Sequence, residues 1–191
     1  HKKKNRLIGD FLTEVMEKAV KMGESNACMK RIVAAPTAGS CGVIPAVLLT
    51  YKMQKNVSED KLVEALFVAA GIGEVIAASA SIAGAEGGCQ AEIGSASAMA
   101  AGAVAYLEGG KEQEIVHAAA LALKNMLGLT CDPVAGLVEV PCVKRNVSGA
   151  GFGFFTSSPL VTTSKYFIRS SVSSVSVITG FGEEDATARR Y

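Results

Sequence analysis

The sequence predicts an all-α fold, a compact bundle of buried helices rich in small residues, with functional loops at helix N-termini. Three observations predict it. Apolar residues recur at the spacing of one helix face. Long stretches consist mainly of Ala, Gly and Ser, which let helices pack closely. Gly, Pro and Ser then cluster at the breaks between those stretches.

Residues 11–22 place Leu12, Val15, Met16, Ala19 and Val20 on one helical face, and Gly23 is the expected stop. Residues 35–42 (APTAGSCG) form a Pro/Gly/Ser loop. A helix follows over 43–54, with Pro45 tolerated in its first turn. Ser58, Glu59 and Asp60 make a good N-terminus for a helix over 59–83. That helix is amphipathic early and apolar all round later, so its second half is expected to be buried. Residues 84–88 (GAEGG) read as a turn, 90–107 as another buried helix closed by Gly109 and Gly110, and 112–127 as a third ended by Gly128. Asp132-Pro133 reads as an N-cap and first helical residue of a short helix that Pro141 interrupts. There is no internal repeat. After about Ala150 the chain turns rich in Ser and Phe and poor in Ala, and 170–178 (SSVSSVSVI) has strand-like alternation. This divides the chain into a helical domain over 7–150 and an atypical tail over 151–191, disordered or a weak strand.

A length of 191 residues suits one domain. With 49% apolar residues the chain can bury a core, which excludes disorder for most of it. Aromatics are only 6% and Trp is absent, so that core is built from Ala, Gly, Val, Leu and Ile. The net charge of +1 excludes a basic nucleic-acid-binding face. No Lys or Arg lies between Lys61 and Lys111, which raises the question of a membrane span. The two candidates are 65–83, broken by Glu74, and 95–107, which is short of the roughly 20 residues a span needs. Both are made of small residues that insert weakly, so buried helices of a protein outside the membrane are expected. The N-terminus has no signal-peptide pattern. It starts at His1, as a fragment or processed product does. The five cysteines are odd in number and form no CxxC pair, so a reducing, cytoplasmic location without disulfides is expected.

Three cysteines stand out. Cys89 follows two glycines and opens the helix near Gln90, Cys131 precedes Asp132-Pro133, and Cys142 follows Pro141 just past the short helix. A helix N-terminus favours the thiolate, the form that binds metal. The spacing Cys-x41-Cys-x10-Cys is neither a zinc finger nor a ferredoxin run. By itself it leaves open three buried small hydrophobes. The 35–42 loop offers the hydroxyls of Thr37 and Ser40 ahead of a helix N-terminus, where a substrate carboxylate could dock; an ordinary capping loop is the alternative. Lys144, Arg145 and Asn146 are further carboxylate-binding candidates, or a solvated loop end. Cys41 paired with His117 as a nucleophile is the weaker reading, because His117 sits mid-helix among alanines.

Three stretches carry a resemblance. APTAGSCGVIPA (35–46), GAEGGCQAEIGSASAMAA (84–101) and LKNMLGLTCDPVAGLVEVPCVKRN (123–146) resemble the α chain of iron–sulfur-dependent bacterial L-serine dehydratases. The similarity covers roughly 11–150. It implies a 4Fe-4S cluster on Cys89, Cys131 and Cys142, with Cys41 outside the ligand set. Three thiolates for four irons leave one iron open to act as a Lewis acid on the serine hydroxyl. β-Elimination of water then gives 2-aminoacrylate, and from it pyruvate and ammonia, with no pyridoxal phosphate.

The resemblance also implies that the proton-abstracting base is a histidine of a partner β chain, so the isolated chain is expected to need that partner. It makes Thr37, Ser40, Lys144, Arg145 and Asn146 the substrate-binding candidates. Family α chains begin upstream of residue 11 and continue after the KRN motif in an alanine-rich segment. The sequence after Ala150 differs, as in a truncated or altered end. Two other readings stay open: a cluster-dependent hydro-lyase for another small hydroxy acid, and a non-catalytic helical remnant that binds a partner.

Overall fold

The computed structural model describes residues 8–132 and 139–157, without the side chains of 139–141. Among the described residues lie seven α-helices and no strand: α1 (Gly9–Ala27), α2 (Val43–Lys55), α3 (Glu59–Ser79), α4 (Gly84–Cys89), α5 (Ser95–Leu107), α6 (Glu112–Asn125) and α7 (Glu139–Phe155). A π-helical turn, Gln90–Gly94, joins α4 to α5. The all-α class is as the sequence predicts.

Helix α5 is the centre of the bundle. Every residue from Ser95 to Ala105 is buried, and α2, α3, α6 and α7 all pack on it. Its run of Ala, Ser and Gly is the reason, since small side chains allow close helix approach on all sides. Helix α7 packs closely on α5 and on the π-helical turn before it. A Cβ added at Gly149 would come within 2.6 Å of an Ile93 methyl, and one at Gly153 within 3.0 Å of the Ser97 carbonyl. The Ser97 hydroxyl donates to the Gly149 carbonyl at 2.9 Å, so a buried polar group is satisfied across the same contact.

Several boundaries differ from expectation, each for a local reason. Helix α1 does not stop at Gly23 but runs on to Ala27. Gly23 is a packing position: a Cβ there would lie 3.1 Å from the Val143 Cα of α7. The 84–88 stretch is not a turn but the start of α4, whose helical path breaks only at Gly88, with φ +61°. The helix over 90–107 begins with five π-helical residues. Pro141 does not interrupt a helix; it lies in the first turn of α7, where the missing N–H has no intrahelical partner to lose. The expected helix start at Asp132-Pro133 falls on residues 133–138, outside the described ones. Helix α7 also continues through Ala150 to Phe155, and the Phe154 ring meets Phe11 of α1 at 4.2 Å between centroids. The rest of the tail, with the strand-like 170–178, lies outside the described residues.

Helix α3 departs most. Ser58 caps it, its hydroxyl accepting from the Lys61 N–H at 3.3 Å. Its second half was expected to be buried, yet only Ala65, Ala69 and Gly73 are. Those three form one narrow stripe against α5. Phe67 is 74% exposed and Val75 66%. By length and composition alone α3 could cross a membrane. A groove of about 350 Å³ lies between α3, α5 and α6, lined by Ile72, Val75, Ile76, Val116 and Leu123 among others.

Candidate functional site

Three chain segments meet at the N-terminal end of α7. Cys89 ends α4 and is buried. Cys131 is exposed in the segment after α6, and Cys142 lies in the first turn of α7. The three thiols converge: Cys89 Sγ is 3.9 Å from Cys131 Sγ and 3.7 Å from Cys142 Sγ. Gly88 makes the approach possible. Its positive φ turns Cys89 inward, and a Cβ at this position would sit 3.0 Å from the Cys131 Cβ. Cys142 is not past a helix, as expected, but inside a first turn. Cys89 follows the break at Gly88 and leads into the π-helical turn, so it opens a helical run as expected. Both cysteines therefore sit at helix N-termini.

Burial pushes the Cys142 thiol up to about 12, helped by its hydrogen bond with Cys89 and by the nearby Glu92 and Cys131. Arg145 supplies the opposing charge. Its guanidinium donates to Cys89 Sγ at 3.1 Å and pairs with Asp132, the neighbour of Cys131. One cation thus holds two of the three thiol-bearing segments.

The donor set fits a thiolate-bound metal group: three sulfurs from distant positions, one buried, with an arginine against them. Among the described residues, no three His, Cys, Asp or Glu side chains are arranged as a metal cage. The sulfurs are in contact with one another, and the corners of an iron–sulfur cube would require them to stand further apart.

The 35–42 loop lies beside this site and is clamped from two sides. The Asn146 side-chain amide of α7 donates to the carbonyls of Gly39 and Cys142, both at 2.8 Å, and its oxygen accepts from the Gly42 N–H at 2.8 Å. Asn26 of α1 donates to the Ala38 carbonyl at 3.0 Å. Within the loop, Ser40 is fully buried and its hydroxyl lies 3.1 Å from that of Thr37. Ser40 and Asn146 thus face inward and shape the loop, Thr37 is part-exposed, Arg145 faces the thiols, and Lys144 is exposed. Cys41 is buried with its sulfur 3.6 Å from the Met22 carbonyl, and burial raises its pKa. It faces α1, whereas His117 sits on α6.

Sequence reasoning missed Glu92. This carboxylate projects from the π-helical turn into a slot between two glycines. A Cβ at Gly39 would overlap its oxygens, and one at Gly84 would come within 2.8 Å of its carboxyl carbon. Its place inside the GGCQAEIG stretch, one turn beyond Cys89, was the available signal.

Comparison with known proteins agrees with the resemblance. The family model "Serine dehydratase alpha chain" matches residues 1–177, past the change in composition at Ala150. A protein of Bacillus subtilis named "Probable L-serine dehydratase, alpha chain" is 53% identical over 144 residues, covering 75% of this chain and 48% of that one. The "L-serine dehydratase, alpha chain" of Peptoniphilus asaccharolyticus is 45% identical over 151 residues, 79% of this chain and 52% of its own. "L-serine dehydratase 2" of Escherichia coli K12 is 48% identical over 133 residues, 69% of this chain and 29% of its own. The chain spans about half the length of the two α chains and less of the third relative. It belongs to the serine dehydratase α-chain family.

Proposed function

We propose that this chain carries the metal-binding part of an L-serine dehydratase, with Cys89, Cys131 and Cys142 holding a 4Fe-4S cluster. The observation that carries the reading is the convergence of three thiols, distant in sequence, in a member of this family. When bound, such a cluster supplies an open iron that stabilises the leaving hydroxide. The chain's own residues do the rest of the positioning. Arg145 holds Cys89 and the Cys131–Asp132 segment together and offsets the charge of the thiolates. The clamped 35–42 loop presents Thr37 toward the substrate carboxylate, with Ser40 and Asn146 fixing its shape. Lys144 adds a cation at the rim. The base that takes the α-proton comes from a partner β chain. Serine thus loses water and, after hydrolysis of the enamine product, gives pyruvate and ammonia. The protein is cytoplasmic, where its thiols stay reduced.

Anaerobic purification followed by iron and acid-labile sulfide analysis tests this reading. About four of each per chain is expected for the cluster; metal without sulfide would refute it. Pyruvate release from serine is expected only once the β chain is added, and release by the isolated chain would refute the partner requirement.

A further inference from the structure

Glu92 has no ion pair or hydrogen bond to any described residue, and it packs on the loop that adjoins the thiols. Arg145, the cation of the thiol site, is engaged by Asp132 and Cys89. Its carboxylate packs on Gly39, and the Asn146 amide ties Gly39 to Cys142, so Glu92 lies on the thiol side of the loop. It is part-buried, and it lies where the 35–42 loop, α4 and the π-helical turn meet. Gly39 and Gly84 leave it a slot that any larger side chain would fill. π-Helical turns of this kind concentrate at functional sites. A cation that pairs with such a carboxylate makes charge-assisted hydrogen bonds to it.

We infer that Glu92 is the anchor for the α-ammonium group of the amino-acid substrate. The inference rests on the proposed serine reaction and adds a recognition element to it. An ammonium paired with this carboxylate would stand between the loop proposed to meet the substrate carboxylate and the sulfurs that mark the reacting hydroxyl. An amino acid carries all three groups on adjacent carbons, so one molecule can reach all three places. A hydroxy acid that lacks the ammonium leaves Glu92 uncompensated, which makes this residue the discriminator between the two substrate classes.

The test compares L-serine with 3-hydroxypropionate, its analogue without the amino group. Equilibrium binding is measured by calorimetry on the anaerobically purified enzyme with both chains present, alongside KM, kcat and iron content. In Glu92→Gln, serine affinity is expected to fall about tenfold or more, the usual scale for a lost charge-assisted contact. Affinity for 3-hydroxypropionate is expected to stay within about twofold. A parallel loss for both ligands makes Glu92 a strut and overturns the inference, as does no loss for either. Loss of iron makes it a metal ligand, with the same consequence. The wild type provides a check without any variant: equal affinity for the two ligands overturns the anchor while leaving the serine reaction intact. Absence of serine binding by an iron-loaded wild type refutes the serine reading itself, and the anchor with it.

Discussion

The Gly42 N–H donates to the Asn146 side-chain oxygen across a separation of 104 residues, at 2.8 Å and fully buried. This one contact sets the start of α2 against α7. The same amide reaches back to Gly39 and to Cys142, so it joins the loop to a thiol-bearing helical turn. All of its hydrogen-bonding hydrogens are used, and no donor is left for a ligand.

Asn146→Ala therefore acts on stability and on the loop together. It removes three hydrogen bonds, one buried and two part-buried, and leaves the Gly42 N–H and Gly39 carbonyl without this partner. A cost of about 3 kcal/mol in urea denaturation is expected. A loss under about 1 kcal/mol would mean that the loop holds its shape without this clamp. Asn146→Asp keeps the acceptor for Gly42 but loses both donations, so an intermediate cost is expected.

Gly88→Ala tests the approach of the thiols. The residue sits at φ +61° and ψ −156°, a region nearly confined to glycine, where an added side chain costs about 1–3 kcal/mol. The new methyl would also press on the Cys131 side chain. Iron uptake is expected to fall, along with the yield of a Cys89–Cys131 crosslink by a short bifunctional thiol reagent. Cys41→Ala lies outside this site and is expected to keep full iron. Undiminished iron in Gly88→Ala would show that the positive φ does not bring the sulfurs together.

How far the sequence disclosed this arrangement depended on which signals were local. Ser58 and the 3.6-residue spacing located α3, and Pro45 located the first turn of α2. The glycine-rich 84–88 stretch misled, because glycines usually mark turns; here they are spacers that admit Glu92 and Cys131. Pro141 misled in the same way, since proline fits a first helical turn as well as it breaks an interior one. The resemblance singled out the three cysteines, but spacing alone could not show that they meet. That depends on α7 lying tight against α5, a contact between residues some 50 positions apart. Glu92 had only its place in the motif to recommend it.

The outer face of α3 is expected to tolerate polar substitution where its inner stripe does not. Phe67→Ser and Val75→Ser, both on exposed positions, should change stability by no more than about 0.5 kcal/mol and lower the binding of a hydrophobic dye. Ala69→Leu places a larger side chain in the 2%-exposed stripe against α5 and should cost about 1–3 kcal/mol. A large loss from Phe67→Ser would mean that this face is covered in the protein as purified.

Tyr51 sets an alkaline limit on the fold. Its hydroxyl donates to Glu108 Oε1 at 2.7 Å, joining α2 to the end of α5. Burial raises the phenol well above its ordinary pKa, and the Glu108 hydrogen bond and charge raise it further. The folded protein therefore keeps this proton in a range where the unfolded chain, with an ordinary phenol near 10, has lost it. Above that pH the unfolded state binds fewer protons than the native one, so stability is complete below about pH 10 and falls as the pH rises beyond it. Tyr51→Phe should cost about 1 kcal/mol at neutral pH. It should also flatten the alkaline decline, because the proton difference between the two states is gone. Urea midpoints measured between pH 8 and 11 on both proteins check this, together with ultraviolet titration. In the wild type one phenol should ionise only as the protein unfolds, and Tyr51→Phe should lack it; parallel declines in the two proteins would place the alkaline limit elsewhere.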